Sequence, residues 1–248
     1  MKAAPVNAKR AVLLIEDNAG DARLMREYLA DAAGASFQIE HVITLTQGLE
    51  RLAAGGVDVV LLDLSLPDSP MPDTFRRVHE AAPSVPIIVM SGLDDEKFAM
   101  QTVQEGAQDY LVKGHVDTRL LVHSMRYAIE RKRAEEALAH ERDLLHTLLD
   151  NLPDRIYFKD ARSRFTRISR AVAEQFKIGH PREAMGKTDR DFFSAEHAEA
   201  ARRDEAQVME SGQPILRKIE REVLPDSSVT WALTSKLPLK KPAGPGHR

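Results

Sequence analysis

The sequence predicts a doubly wound, five-stranded parallel α/β sheet, then a long helix, then a smaller α+β domain with an antiparallel sheet. Three observations carry this expectation. Short, unbroken apolar runs at 12–15, 59–62, 87–90 and 110–112 have the length and continuity of strands buried on both faces. Segments with helical spacing of apolar residues separate them. Residues 118–150 contain neither Gly nor Pro, and a pattern of short alternating strands follows.

Taken in order, strand 11–17 leads into a helix that places Leu24, Met25, Tyr28, Leu29 and Ala32 on one face and ends at Gly34. A second strand spans 37–43, and a helix at 47–53 closes at Gly55-Gly56. The third strand, from Val59, runs out at Asp63 and is closed by Pro67. Beyond the turn at 67–72, where Pro70 and Pro72 stiffen the loop, a helix aligns Phe75, Val78 and Ala82. Strand 86–90, helix 95–105, strand 109–113 and a helix from about Asp117 complete five β/α units.

The strand ends carry the chemistry. The first run ends in Glu16-Asp17, the third in Asp63, the fourth in Ser91-Gly92 and the fifth in Lys113. In an open parallel sheet the carboxyl ends gather on one edge, where doubly wound folds place ligands. Three acids in one cleft repel each other unless a cation joins them, and carboxylates with water suit magnesium. A lysine and a hydroxyl beside them are what an incoming phosphoryl group needs. Each piece alone has a bland reading, such as a helix cap for Asp63 or a solvated surface group for Lys113. Their order and shared position favour magnesium-dependent phosphorylation of Asp63.

These residues resemble the receiver domain of bacterial two-component response regulators, with its flavodoxin-like winding. The resemblance implies that Asp63 is the phosphoacceptor, that Asp17 ligates Mg2+ directly and Glu16 through water, and that the Ser65 backbone carbonyl reaches the metal. It implies that Ser91 and Lys113 hold phosphate oxygens, that Tyr110 is a rotating switch aromatic, and that Gly92 leaves the phosphoryl group room to enter. Two features depart from the family. Gly114 follows Lys113 where the family has Pro, and the loop 69–72 lacks the family's glycine.

The helix that begins near Asp117 continues through 126–138 without a break. Leu138, Leu145 and Leu152 recur every seven residues, with Ala134 and Leu148 at a second seam position, while Arg131 and Glu141 interrupt the pattern. This suits a short, parallel coiled coil that would make the chain a homodimer, or else a solvated linker helix. His140 and His146 on it lack the context of a kinase phosphohistidine and read as solvated.

Asn151-Leu152-Pro153-Asp154 breaks the helix. Strands at 156–158 and 164–168 form one hairpin, helical pieces span 171–176 and 195–210, and strands at 215–223 and 229–237 form a longer hairpin. This order resembles a PAS domain, a sensor fold, through Asn151-Leu152-Pro153-Asp154, Tyr157-Phe158-Lys159-Asp160, Gly186-Lys187-Thr188-Asp189, Asp191-Phe192-Phe193, Trp231 and Lys236-Leu237-Pro238. Phe158, Phe165, Phe176, Phe192 and Trp231 read as core rather than a cofactor box, and His180 and His197 as surface residues rather than haem ligands. The family has a fifth strand between its first and fourth. Here residues 240–248, rich in Pro and Gly, make a poor central strand, so the PAS-like domain is expected to lack it.

The expected domains are therefore 1–117 for the receiver, 118–150 for the helical linker and 151–248 for the PAS-like part. A formal charge of −3 gives no pull toward nucleic acid, and the lack of cysteine excludes disulfides, zinc thiolates and thiol catalysis. With no signal-peptide pattern and no long apolar run, the chain is expected in the cytoplasm, without a membrane partner. The reading is a phosphorelay protein whose Asp63 is phosphorylated by a histidine kinase or phosphotransfer protein, and not an enzyme in its own right. A small-molecule phosphatase with an aspartyl-phosphate intermediate fits poorly, because Ser65 stands where that chemistry wants a second Asp. The alternative is the regulatory front of a larger histidine kinase or diguanylate cyclase, although no nucleotide-binding motif occurs in these residues.

Overall fold

The computed structural model describes residues 9–30, 37–69, 71, 73–92, 96–224 and 228–239. The sequence expectations for Ala32, Gly34, Pro70, Pro72, Asp95, the turn at 225–227 and the tail 240–248 lie outside the described residues. The chain divides into two compact units, Met1–Glu141 and Arg142–Arg248.

In the first unit β1 (Arg10–Ile15), β2 (Phe37–Val42), β3 (Val59–Asp63), β4 (Ile87–Ser91) and β5 (Asp109–Val112) form one parallel sheet in the order β2-β1-β3-β4-β5. The intervening helices are α1 (Ala19–Ala30), α2 (Leu45–Ala53), α3 (Asp73–Ala81) and α4 (Glu96–Gln104), and α5 (Thr118–Asn151) follows β5. Side chains alternate across a strand, so each apolar run feeds two cores at once. Val12, Leu14, Val59, Leu61, Ile88 and Met90 pack with Met25 and Leu29 of α1 and Leu121 and Met125 of α5. Leu13, Ile15, Val60, Leu62, Ile87 and Val89 face the other way, onto Leu45 of α2 and Phe75 and Val78 of α3. Every residue of β3 and β4 is buried. At about 1.5–3 kcal/mol for each large side chain buried, these central strands make a rigid platform for whatever stands at their ends.

Local chemistry sets the helix starts. Thr44 caps α2, its side chain accepting from Gln47 N at 3.3 Å. Asp68, from the loop after β3, accepts from Leu45 N and Thr46 N at 2.8 Å each. Two orphan donors of α2 are thereby satisfied by a distant segment.

The second unit holds β6 (Tyr157–Lys159), β7 (Phe165–Ile168), α6 (Arg170–Gln175), α7 (Ala195–Ser211), β8 (Ile215–Val223) and β9 (Val229–Lys236). Two short 3-10 turns, Pro181–Ala184 and Asp189–Asp191, were not anticipated from the sequence. Among the described residues β6 pairs antiparallel with β7, and β8 antiparallel with β9, as two separate two-stranded sheets. Ser194 caps α7 and Gly212, at φ 64°, ends it in the left-handed region.

Of the expected aromatic core, Phe165, Phe176 and Phe192 pack together, with Phe176 and Phe192 stacked at 4.0 Å, while Phe158 is half-buried on β6 and stands outside that cluster. Trp231 does not belong to it: it is 68% exposed. The reason is register. On β9 the inward positions belong to Ala232 and Lys236, both buried, and Trp231 alternates outward. The inward face of β8 and β9 is ionic instead, with Lys236 Nζ 2.9 Å from Asp204 and 3.1 Å from Glu220, and Lys218 Nζ 2.5 Å from Asp204. Lys159, from one of the PAS-like motifs, pairs with Asp189 from another and with Glu205, and lies 4.7 Å above the Phe165 ring.

Candidate functional site

Strand register brings the site residues together. Ile15 lies opposite Leu62, Asp63 opposite Met90, and Ser91 opposite Val112. The residues that follow on each strand therefore meet on one edge, and Lys113 N donates to Ser91 O at 2.8 Å to hold the last two together. Glu16 and Asp17 lie just past β1, which ends at Ile15 rather than running through them.

Ligand oxygens of Glu16, Asp17 and Asp63 all fall within 4.8 Å of one another. Glu16 is fully buried and Asp63 nearly so, while Asp17 is exposed at the mouth. Lys113 Nζ sits among the acids, 2.7 Å from Glu16 Oε2, 2.8 Å from Asp63 Oδ2 and 3.2 Å from Asp21 Oδ2. Burial pushes the Glu16 carboxyl up to about 7, against the opposing pull of Lys113. Burial works against the Lys113 charge, but hydrogen bonds to Asp63 and Glu16 outweigh it and raise its pKa above the ordinary value.

Ser91 Oγ is buried and has no hydrogen-bond partner among the described residues. A buried hydroxyl left unpaired is costly, and such groups call for a functional explanation. Gly92 follows it, half-buried. Ser65 N donates to Asp63 Oδ1 at 3.2 Å, which fixes the carboxylate from the loop side. Tyr110 is half-buried against the core cluster that contains Leu13, Ile15 and Val89. Gly114 has φ +86° and is the third residue of the turn closed by His115 N to Val112 O at 3.1 Å. Proline cannot adopt that φ, so the turn after Lys113 has a different backbone from one built on proline.

Sequence reasoning missed the residues that brace the site. His41 Nε2 lies 2.8 Å from Glu16 O, and Asn18 N donates to Glu16 Oε1 at 3.2 Å. Buried Thr74 Oγ1 donates to Leu64 O at 3.1 Å and lies 3.0 Å from Ser69 Oγ, tying α3 to the loop that follows Asp63. The sequence signals for these are weak, since each is a single polar residue in a segment read for apolar spacing.

The donor set fits a hard divalent cation. Oxygen ligands, a buried carboxylate pair and an exposed third acid match magnesium, which keeps several waters and takes few protein carboxylates.

Residues 12–125 match the family model described as response regulator receiver domain, and residues 149–246 match the model described as PAS fold. The regulatory protein LuxO of Vibrio cholerae is 35% identical over 109 residues, covering 44% of this chain and 23% of that protein. The C4-dicarboxylate transport transcriptional regulatory protein DctD of Rhizobium meliloti is 32% identical over 128 residues, covering 52% of this chain and 27% of that protein. The chain thus spans about a quarter of the length of these curated relatives. A solved receiver domain protein of Clostridium thermocellum, 26% identical, covers 50% of this chain and 98% of its own, at a TM-score of 0.44. Among the described residues no helix is long and apolar enough to cross a membrane.

Proposed function

From a chain made of a response regulator receiver domain followed by a PAS-fold domain, we propose a two-component phosphorelay protein in which Asp63 accepts a phosphoryl group from a histidine kinase or phosphotransfer protein. Receiver domains as a family accept phosphoryl groups with magnesium and meet such kinases. The observation that carries the assignment to these residues is the buried Ser91 Oγ, unpartnered among the described residues, on the same edge as the Glu16, Asp17, Asp63 and Lys113 cluster.

In this reading an Asp63 carboxylate oxygen attacks phosphorus. A P–O bond forms as the donor's P–N bond breaks, and the donor imidazole leaves with the electron pair. Glu16, Asp17, Asp63 and the Ser65 carbonyl would hold Mg2+, which when bound neutralises charge on the phosphoryl oxygens. Lys113 transfers its ammonium from the Asp63 carboxylate to a phosphoryl oxygen. Ser91 Oγ donates to another, which gives its unpaired hydroxyl a partner. Gly92 leaves room beside it. The movement of Ser91 frees space into which Tyr110 turns, altering the surface that carries α5.

The functional boundaries in this reading are 1–117, 118–150 and 151–248, with the phosphorylation state passed along 118–150 to the PAS-like part of a homodimer held through α5. In this reading the chain is not an enzyme in its own right: residues 12–125 match a receiver model and residues 149–246 a PAS-fold model. Incubation of wild type and Asp63→Asn with acetyl phosphate and magnesium, followed by intact mass measurement, tests the core of the proposal. One phosphoryl addition is expected on wild type alone and only with metal; equal labelling of both proteins would refute it.

A further inference from the structure

Asp21 touches the site without holding any of the roles assigned so far. It stands in the first turn of α1, and its Oδ2 is 3.2 Å from Lys113 Nζ. An acid in that turn ordinarily serves the helix dipole. Here the turn already has its cap, because Asn18 Oδ1 accepts from Gly20 N at 2.9 Å and from Asp21 N at 3.3 Å. The Asp21 side chain is 35% exposed, against 0% for Glu16 and 8% for Asp63, so it lies on the solvent side of the ammonium.

Charge singles Asp21 out. Glu16, Asp17 and Asp63 are the acids that converge on a common point, and Asp21 is not among them. With Mg2+ held as in the reading above, the metal and Lys113 together balance those three carboxylates, and the Asp21 charge is left over. An ammonium has three donors, and Lys113 directs them at Glu16, Asp63 and Asp21. When the bond to Asp63 passes to a phosphoryl oxygen, that oxygen and Asp21 become acceptors on one ammonium, roughly 5 Å apart at ordinary hydrogen-bond lengths. Asp63 is nearly buried, so an in-line leaving group departs toward solvent, on the side where Asp21 stands.

We infer that Asp21 selects the phosphodonor, favouring donors whose phosphoryl group is bound to nitrogen over acyl phosphates. The inference rests on phosphorylation of Asp63 as read above. With acetyl phosphate, the Asp63 oxygen bonds to phosphorus as the bond from phosphorus to the acyl oxygen breaks, and acetate leaves with the electron pair as an anion. With phosphoramidate, a net monoanion at neutral pH whose nitrogen is protonated, the P–N bond breaks and ammonia leaves neutral with the electron pair. The two reactions differ by one negative charge moving out past Asp21. At about 7 Å, one unit of charge is worth roughly threefold in rate even at the dielectric constant of water.

The test compares rates of phosphoryl addition to the full chain, followed by intact mass at neutral pH with saturating magnesium, for wild type, Asp21→Asn and Asp21→Glu with each donor. Asp21→Asn is expected to raise the acetyl phosphate rate constant by roughly threefold or more relative to that for phosphoramidate, a gain that shrinks at high salt. Asp21→Glu keeps the charge and should keep the wild-type preference, and circular dichroism checks that both variants fold. An equal change with both donors would mean that Asp21 only places Lys113; it would overturn the inference and leave Asp63 as the phosphoacceptor. A preference lost equally in Asp21→Glu would do the same. Wild type labelled by neither donor would refute the phosphoacceptor reading itself, and this inference with it.

Discussion

Lys113 Nζ lies 2.8 Å from Asp63 Oδ2, across 50 positions of sequence, and the same ammonium reaches Glu16 at 2.7 Å. One cation thus offsets a cluster of carboxylates whose deepest member is fully buried. Replacing it with an isosteric apolar side chain leaves those acids uncompensated. Lys113→Met is expected to lose about 3 kcal/mol of stability, in the range for removing one partner of a buried pair. Magnesium can supply the missing charge, so it should raise the Tm of Lys113→Met by more than it raises that of wild type. Thermal melts with and without magnesium measure this, and equal shifts in the two proteins would contradict the account.

Ser91 offers the opposite combination. Its Oγ makes no hydrogen bond among the described residues, so Ser91→Ala removes a desolvated group and breaks nothing. Stability should stay within about 0.5 kcal/mol of wild type or rise slightly. Phosphorylation by acetyl phosphate should slow by roughly tenfold or more, as when one donor to a developing charge is removed. A variant that is destabilised yet phosphorylated at the normal rate would reverse both expectations.

Gly114 separates backbone effects from chemical ones. At φ +86° it is in the left-handed region, and among the described residues nothing lies within 4 Å of where a Cβ would stand, so the cost of substitution is conformational. Gly114→Ala should cost about 1 kcal/mol, and Gly114→Pro more, because the ring forbids the observed φ. Urea denaturation of the two variants gives the ranking, and equal stability would mean that the turn accepts a proline backbone.

Asp204 makes the second unit sensitive to acid. Burial pushes its carboxyl up, but hydrogen bonds from Lys218 and Lys236 outweigh burial and hold it down at about 2, below the ordinary 3.8. A depressed folded-state pKa contributes stability that is fully present above the unfolded value and is lost as pH falls through the folded one. Unfolding monitored by Trp231 should therefore show stability declining between about pH 4 and pH 2, with a shallower decline in Asp204→Asn. The same slope in the variant would assign the acid sensitivity to other groups.

Most of the first unit was legible in the sequence because its signals are redundant. The continuous apolar runs of β3 and β4 admit no strand with one wet face, and each ends at a residue the site uses. The turn at Lys113-Gly114 was legible as a departure, but its direction was not, because glycine permits many conformations and the observed φ depends on the closing His115 bond. The bracing by His41 and Thr74 was hidden, since each acts on an atom in another element, and that by Asn18, two residues from Glu16, because it comes from a backbone amide that residue type does not announce. Trp231 was misread for a related reason. Residue type favours burial, but on a strand the choice between inside and outside is made by register, and here the inward positions went to Ala232 and a lysine held by two carboxylates.

The parallel order β2-β1-β3-β4-β5 has a consequence for biosynthesis. Its pairings join segments far apart in sequence, and β5, which delivers Lys113, is the last of its five strands to leave the ribosome. Until it docks beside β4, Glu16 and Asp63 have no ammonium between them, and the amide that fixes Ser91 O is missing. Non-local closure of this kind is slow compared with helix formation. A nascent chain that has made β1 through β4 is therefore chemically mute, and competence to be phosphorylated arrives together with completion of the sheet.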